Sequence, residues 1–322
     1  MAVCISGDIF HYKSPLAYHP LDINQLVDYF SFYRYPIVMI PGNHDLPSSS
    51  VDQYKSSPYS ILVQLSPNIH TVDISDPFAP IFSYIERNSL GQPTHLYRFF
   101  GLPYYPLKDS INALAELNTH LTSESNVINI CLTHIDAIPD SSVPLHYEVI
   151  SQYQLSQLAP KVHCFLQGHI HLSFPPINLQ PNIPLNNTDH QLIISKPWSL
   201  GRVVKDYFNT TDILMHQHVP SYSLITFTPS TNPIVGQASN YPQPLISIEY
   251  KSLSTFKPSK EIFKEQSLKE EVEGSNQVNS FVQQLQDRFG DQALAIQTPE
   301  DMMNQLPSTV KSTISEYLQK VG

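Results

Sequence analysis

Residues 162–171 read VHCFLQGHIH. Val162 to Leu166 form a short, mostly apolar run of the kind carried by a strand covered on both faces. Gly168 then lets the backbone turn sharply, and His169 and His171 follow, one residue apart. Imidazoles just past the end of a buried strand stand where an open α/β sheet places its ligand-binding groups. A histidine pair in a loop is as easily solvated as functional, so the segment takes its meaning from what the other strand ends carry.

The same arrangement recurs upstream. Ala2 to Ile5 is an apolar run that opens into SGDIFH, Ile37 to Ile40 opens into PGNHD, and Val127 to Leu132 opens into THID. Between the first two, Asp22 to Arg34 carries Ile23, Leu26, Val27 and Phe30 at helical spacing, with Asp22 as the expected N-cap. The result is β-loop-α-β with a polar cluster beyond each strand. The strand ends thus carry Asp8, Asn43 with His44, His134, and His169 with His171. Carboxylate and amide oxygens mixed with imidazoles suit a borderline divalent ion such as Mn, Fe or Zn. A bridging carboxylate can hold two such ions about 3.5–4 Å apart, a pair that clamps a phosphoryl group during in-line attack. Taken singly, each group also has an ordinary role: Asp8 could cap a helix, Asn43-His44 could be a turn, and His134 could be a core histidine. Their placement in series, each just past a strand, favours one shared site.

Elsewhere the expected elements are strands at Ile81–Ile85 and Leu96–Phe100, then a helix capped by Asp109 or Ser110 with Ile111, Leu114, Ala115 and Leu117 facing inward. A helix is expected over Val149–Leu158 and a surface loop over 173–190, which is rich in Pro and Asn. Further strands are expected at Gln191–Ser195, Tyr222–Phe227 and Leu245–Tyr250. After about residue 250 the chain turns polar and amphipathic, with helical patterns at Pro258–Glu273, Val278–Phe289 and from Ser308 onward. His216 and His218 share a strand face without a nearby carboxylate and read as a solvated pair.

The formal charge of −10 argues against a uniformly basic surface. It leaves a nucleic-acid substrate open, because metal ions and a few Lys or Arg supply local positive potential. Cys4, Cys131 and Cys164 lie in apolar runs and read as reduced core residues. The N-terminus has no signal-peptide pattern, and no apolar run approaches the roughly 20 residues that cross a bilayer. The expectation is a cytoplasmic protein with no membrane segment. There is no Gly-rich phosphate loop, Cys-x-x-Cys pair or nucleophile elbow.

Read together, SGDIFH, PGNHD, LTH at 132–134 and GHIH resemble, in order, the motifs of the calcineurin-like metallophosphoesterases. The spacing agrees: Asn43 follows Asp8 by 35 residues, His134 follows Asn43 by 91, and His169 follows His134 by 35. Within that superfamily the chain most resembles the SbcD-type DNA repair nuclease subunit. GDIFH followed by Lys13, and KPWSLGRV at 196–203, carry that likeness, although Trp198 stands where the family commonly has Gly.

The resemblance implies a four-layer α/β sandwich, two mixed sheets flanked by helices, with a smaller α+β capping region and a helical tail. It implies a metallophosphoesterase domain over 1–235, a capping region over 236–290 and a partner-docking tail over 291–322. It implies that Asp8 bridges two ions, that Asn43, His134 and His169 complete one site, and that His171 contributes to the other. His44 would be the non-ligand histidine that stabilises the transition state or protonates the leaving oxygen; His11 stays unassigned. The implied ion is Mn, the implied partners are DNA, an SbcC-type coiled-coil ATPase and a second copy of the chain. The implied activity is DNA phosphodiester hydrolysis in repair or recombination. The family pattern begins with an Asp-x-His on a strand upstream of Gly-Asp, and seven residues precede Asp8 here with no Asp-x-His among them. The expectation is a reading frame that starts late, or else a single competent ion. Other readings are a superfamily enzyme for small phosphodiesters or phosphoproteins, and a scaffold of the nuclease–ATPase complex with little turnover.

Overall fold

The computed structural model describes residues 1–10, 20–135, 137–138, 149–170, 173–179, 191–197, 200, 220–228 and 244–253. The chain divides into two compact units, Met1–Ser254 and Thr255–Gly322. The second unit, with the helical patterns expected there, lies outside the described residues, as do His11, Lys13, His171, Trp198, His216 and His218.

The first unit begins with β1 (Val3–Ser6), α1 (Pro20–Ser31), β2 (Ile37–Ile40), α2 (Pro58–Leu65) and β3 (Ile69–Thr71). The three strands form one parallel sheet in the order β1-β2-β3, with Ile37 level with both Val3 and Ile69. β2, in the middle, is buried along its whole length and divides its side chains by the two-residue period of a strand. Ile37 and Met39 pack with Phe30, Tyr59 and Leu62 from α1 and α2. Val38 and Ile40 pack the other way, into the core shared with the second sheet.

The second sheet is built from β4 (Phe82–Arg87), β5 (Pro93–Leu102), β6 (Val127–Thr133), β9 (Cys164–Gln167), β10 (Phe174–Leu179) and β11 (Leu192–Lys196). Between them lie α3 (Leu107–His120), the two-residue strands β7 (Ala137–Ile138) and β8 (Ile150–Ser151), and α4 (Gln152–Leu158). The order is β10-β11-β9-β6-β5-β4, parallel across the centre and antiparallel at both edges. Ile128, Ile130 and Leu132 of β6 face the first sheet, and Cys131 faces the opposite core with Leu114 and Leu117 of α3 and Leu155 of α4. This gives helices, sheet, sheet, helices: the mixed α/β sandwich expected from the sequence. An antiparallel pair, β12 (Ser221–Thr228) with β13 (Leu245–Ser252), adds Ile246 to the inter-sheet core.

Four local expectations change. α1 starts at Pro20, so Asp22 lies in its first turn, where a carboxylate favours the helix dipole without capping it. Neither Asp109 nor Ser110 caps α3: the helix starts at Leu107, and the Ser110 hydroxyl donates to the Tyr105 carbonyl at 2.9 Å. The expected helix at Val149 starts at Gln152, after β8, where Ser151 and Gln154 form a reciprocal capping box. The expected surface loop at 173–190 contains the edge strand β10, because Pro175 and Pro176 are tolerated where a bulge lets them leave the ladder. α2 had no clear helical stripe in the sequence, since Ile61 and Leu65 are exposed beside buried Tyr59 and Leu62.

α2 supplies a test of this packing. Leu62→Ala should cost about 2–5 kcal/mol in denaturant unfolding, because it opens a hole beneath Tyr59 and Met39. Leu65→Ala, three residues on and 51% exposed, should change stability by no more than about 0.5 kcal/mol.

Candidate metal centre

β1, β2, β6 and β9 all end at one rim, and each is followed by one of the polar groups singled out above. Asp8 and His169 sit on tight turns in the left-handed region, at φ 57° and 70°. Such backbone is costly for residues with a Cβ and persists only where the surroundings hold it.

Asp45, fully buried, holds the first turn. Its Oδ2 accepts the Asp8 N–H at 2.8 Å and the Gly42 N–H at 2.7 Å, and its Oδ1 accepts the Phe10 N–H at 2.8 Å. One carboxylate therefore ties the loop after β1 to the loop after β2. Burial pushes the Asp45 carboxyl up to about 7, while the donated N–H groups pull the other way. Close approach completes the rim. A Cβ at Gly168 would overlap the carbonyl oxygen of Ser6, and one at Gly42 would overlap the Asp8 carboxylate.

His134 is 1% exposed, and its Nδ1 lies 2.6 Å from the Ser6 carbonyl oxygen. A carbonyl only accepts, so Nδ1 carries a proton, and in the neutral ring the Nε2 lone pair faces the site. Around that Nε2 lie Asp8 Oδ2 at 3.2 Å, Asn43 Oδ1 at 3.1 Å and His169 Nδ1 at 3.2 Å. His169 Nδ1 is also 3.1 Å from Asn43 Oδ1. The potential ligand atoms of Asp8, His134 and His169 all lie within 4.8 Å of one another. Facing lone pairs on His134 Nε2 and Asp8 Oδ2 repel unless a proton or a metal ion lies between them, and an oxygen–nitrogen set of this kind fits a borderline divalent ion.

His44 lies beside this group. Its backbone N–H donates to Asp8 Oδ1 at 2.9 Å, and its imidazole acts on the Asp8 charge. Burial works to raise the Asp8 carboxyl, but His134 and His44 outweigh it and hold it well below the usual carboxylate range. Asp8, Asn43, His44, His134 and His169 are thus brought to one place, while His171 falls outside the described residues.

Three further groups at this rim carried no signal of their own in the sequence. Asp45 was visible only as part of PGNHD. Tyr104, two residues past β5, places its ring centroid 5.1 Å from that of His169. Lys196, at the end of β11, is buried; burial pushes its ammonium down to about 7, against the pull of the Asp8 charge. Lys196 opens KPWSLGRV, and nothing in that string announces a buried amine near the carboxylate.

The chain matches a family described as calcineurin-like phosphoesterase over residues 2–173. No curated protein matches the sequence. The matched span covers β1 to the turn after β9, and so takes in Asp8, Asn43, His44, Asp45, His134 and His169.

Asp45→Asn tests the tie between the two loops. An amide offers one acceptor oxygen for three N–H groups and turns its NH2 toward at least one of them. The variant should lose about 1–3 kcal/mol of stability in denaturant unfolding and bind divalent ions more weakly by calorimetry.

Proposed function

Because the chain belongs to the calcineurin-like phosphoesterase family, we propose that this site hydrolyses the phosphodiester bonds of DNA, as the nuclease subunit of an SbcD-type complex. Membership makes it a metal-dependent phosphoester hydrolase; the DNA substrate is our reading. The observation that carries the chemistry is the convergence of Asp8, His134 and His169, whose potential ligand atoms lie within 4.8 Å of one another, with Asn43 Oδ1 3.1 Å from both histidines and His44 beside them. The likeness of GDIFH followed by Lys13, and of KPWSLGRV, to SbcD-type sequences supports DNA as substrate.

Asp8, Asn43, His134 and His169 would hold a divalent ion, manganese in this reading, and the chemistry it would supply there is positive charge to the phosphoryl oxygens as a Lewis acid. The protein's own groups do the rest. The Ser6 carbonyl fixes the His134 tautomer, so that its Nε2 is free to ligate. Asp45 holds the Asp8 backbone in its strained turn. In the hydrolysis, the water oxygen forms a bond to phosphorus and loses a proton to solvent as the bond to the departing 3′ or 5′ oxygen breaks, and His44 delivers a proton to that oxygen and takes one back from solvent. The same reading takes an SbcC-type coiled-coil ATPase as partner, a second copy of the chain as dimer mate, and the cytoplasm as location. None of the helices among the described residues is long and apolar enough to cross a membrane.

The test is hydrolysis of linear duplex DNA with Mn supplied. Wild type should cleave, and EDTA should abolish cleavage. His44→Ala should lower kcat by about 10²–10⁴-fold while binding Mn within roughly twofold of wild type. Equal rates in the two proteins would remove His44 from the reaction. Turnover of bis(p-nitrophenyl) phosphate without cleavage of DNA would overturn the DNA substrate in favour of a small phosphodiester. Bound metal without turnover of either would leave a scaffold.

A further inference from the structure

Below the histidine rim, on the helix-facing side of the larger sheet, stand three polar side chains that the chemistry above does not use. Thr133 and Gln167 are register partners on the parallel strands β6 and β9, and so they share a face. Cys131 and Phe165, two residues before them, pack into the core with α3 and α4, which makes that face the helix side. Gln152, the first residue of α4, closes over the pair, and its Nε2 donates to Gln167 Oε1 at 2.9 Å. Thr133 is fully buried, Gln152 is 1% exposed and Gln167 6%. Leu102, level with Thr133 on the next strand, is buried too and offers its side no polar side chain.

Three atoms in this enclosure have no hydrogen-bond partner in the protein: Thr133 Oγ1, Gln152 Oε1 and Gln167 Nε2. Buried polar atoms left in that state are costly and rare. Two of the three belong to amides already joined to each other, and the third stands on the neighbouring strand opposite Gln167. Their chemistry defines what they can take. Gln152 Oε1 accepts, Gln167 Nε2 donates, and the Thr133 hydroxyl does either. Exchanging the oxygen and nitrogen of both amides leaves the same balance, one acceptor and one donor. A cation would meet the Gln167 NH2, an anion would meet the Gln152 carbonyl, and an apolar group would satisfy none of the three. The ligand that fits is small, neutral and able both to donate and to accept. Water has that chemistry, and three bonds to otherwise unsatisfied groups is its usual number inside a protein.

We propose that Thr133, Gln152 and Gln167 form a binding site for one internal water, which accepts from Gln167, donates to Gln152, and bonds the Thr133 hydroxyl, bracing the ends of β6 and β9 against α4. Thr133 leads into His134, Gln167 leads into Gly168 and His169, and the Thr133 carbonyl accepts the Gly168 N–H at 2.7 Å. The water therefore lies beneath the two strand ends that deliver the histidines. Its binding depends neither on an ion nor on turnover, so its test is independent of the proposed hydrolysis.

The experiment is thermal unfolding of the full chain in EDTA for wild type, Thr133→Val, Gln152→Met and the double variant, together with a high-resolution crystal structure of wild type. Thr133→Val replaces the hydroxyl by a methyl of similar size, and the sign of its effect is diagnostic. With a water bound, the variant takes away one of its three partners, and Tm should fall by about 2–4 °C. With the hydroxyl truly orphaned, removing it would leave Tm unchanged or raise it, which would overturn the proposal. Thr133 Oγ1 and Gln152 Oε1 do not bond each other, so coupling between them reports a shared ligand. Thr133→Val should therefore lower Tm in the Gln152→Met background by no more than about half its effect in wild type, and fully additive losses would count against the site. The crystal structure should show one water about 2.7–3.2 Å from all three atoms. A direct hydrogen bond among the three groups, or an ion in place of the water, would overturn the proposal whatever the variants did.

Discussion

The two sheets share one site because their backbones touch at the rim, where one side of the contact is a glycine. Gly168, after β9 of the larger sheet, abuts the Ser6 carbonyl at the end of β1 in the smaller one. Lower in the sandwich the same two sheets are held apart by Val38, Ile40, Ile130, Leu132 and Cys164, at the spacing that interdigitated side chains impose. At the rim that filling stops, and groups from strands more than a hundred residues apart come within hydrogen-bonding distance. The Ser6 carbonyl serves twice. It is the surface against which Gly168 packs, and it fixes which nitrogen of His134 carries a proton.

That contact has a cost, and the cost is concentrated where the chemistry is. Asp8 and His169 both occupy the left-handed region, and among described non-glycine residues they share it only with Ser48 and Ser49. Backbone of that kind is retained where neighbouring contacts over-determine it. For Asp8 the restraint is electrostatic and comes from a buried carboxylate that accepts three N–H groups. A fold assembled around such a centre gathers like charges and lone pairs before any ion arrives. Asp8 and Asp45 stand on adjacent loops, and their mutual repulsion is offset by backbone donors and by His134 and His44.

Much of this was legible in the sequence because the architecture is periodic and the site is modular. A doubly buried strand writes itself as a continuous apolar run, as in Ile37–Ile40 and Val127–Leu132, and the residue that follows each run is displayed at the sheet edge. Asp8, Asn43, His44, His134 and His169 could be named on that ground. The unread parts depend on partners far away in the chain. Asp45 gives no hint in PGNHD that its carboxylate reaches back to Phe10, and Tyr104 in LPYYP looks like any turn tyrosine. α2 blurred its own period by exposing Ile61 and Leu65. β10 was hidden by its prolines, since a strand at a sheet edge needs only one of its sides to pair.

Those prolines shape how the molecule meets others of its kind. β10 closes one margin of the six-stranded sheet, and Pro175 and Pro176, both exposed, bring no N–H donors to it. An extended segment from another polypeptide approaching that margin finds an interrupted ladder and a bulge at Phe174/Ile177, a poor template for strand addition. The opposite margin, β4, shows Tyr84 and Ile85 to solvent and has no such interruption between Phe82 and Glu86. Unwanted self-templating in partly unfolded protein would therefore start from the β4 side, and a charge placed there would do more for solubility than any change at the proline-bearing side.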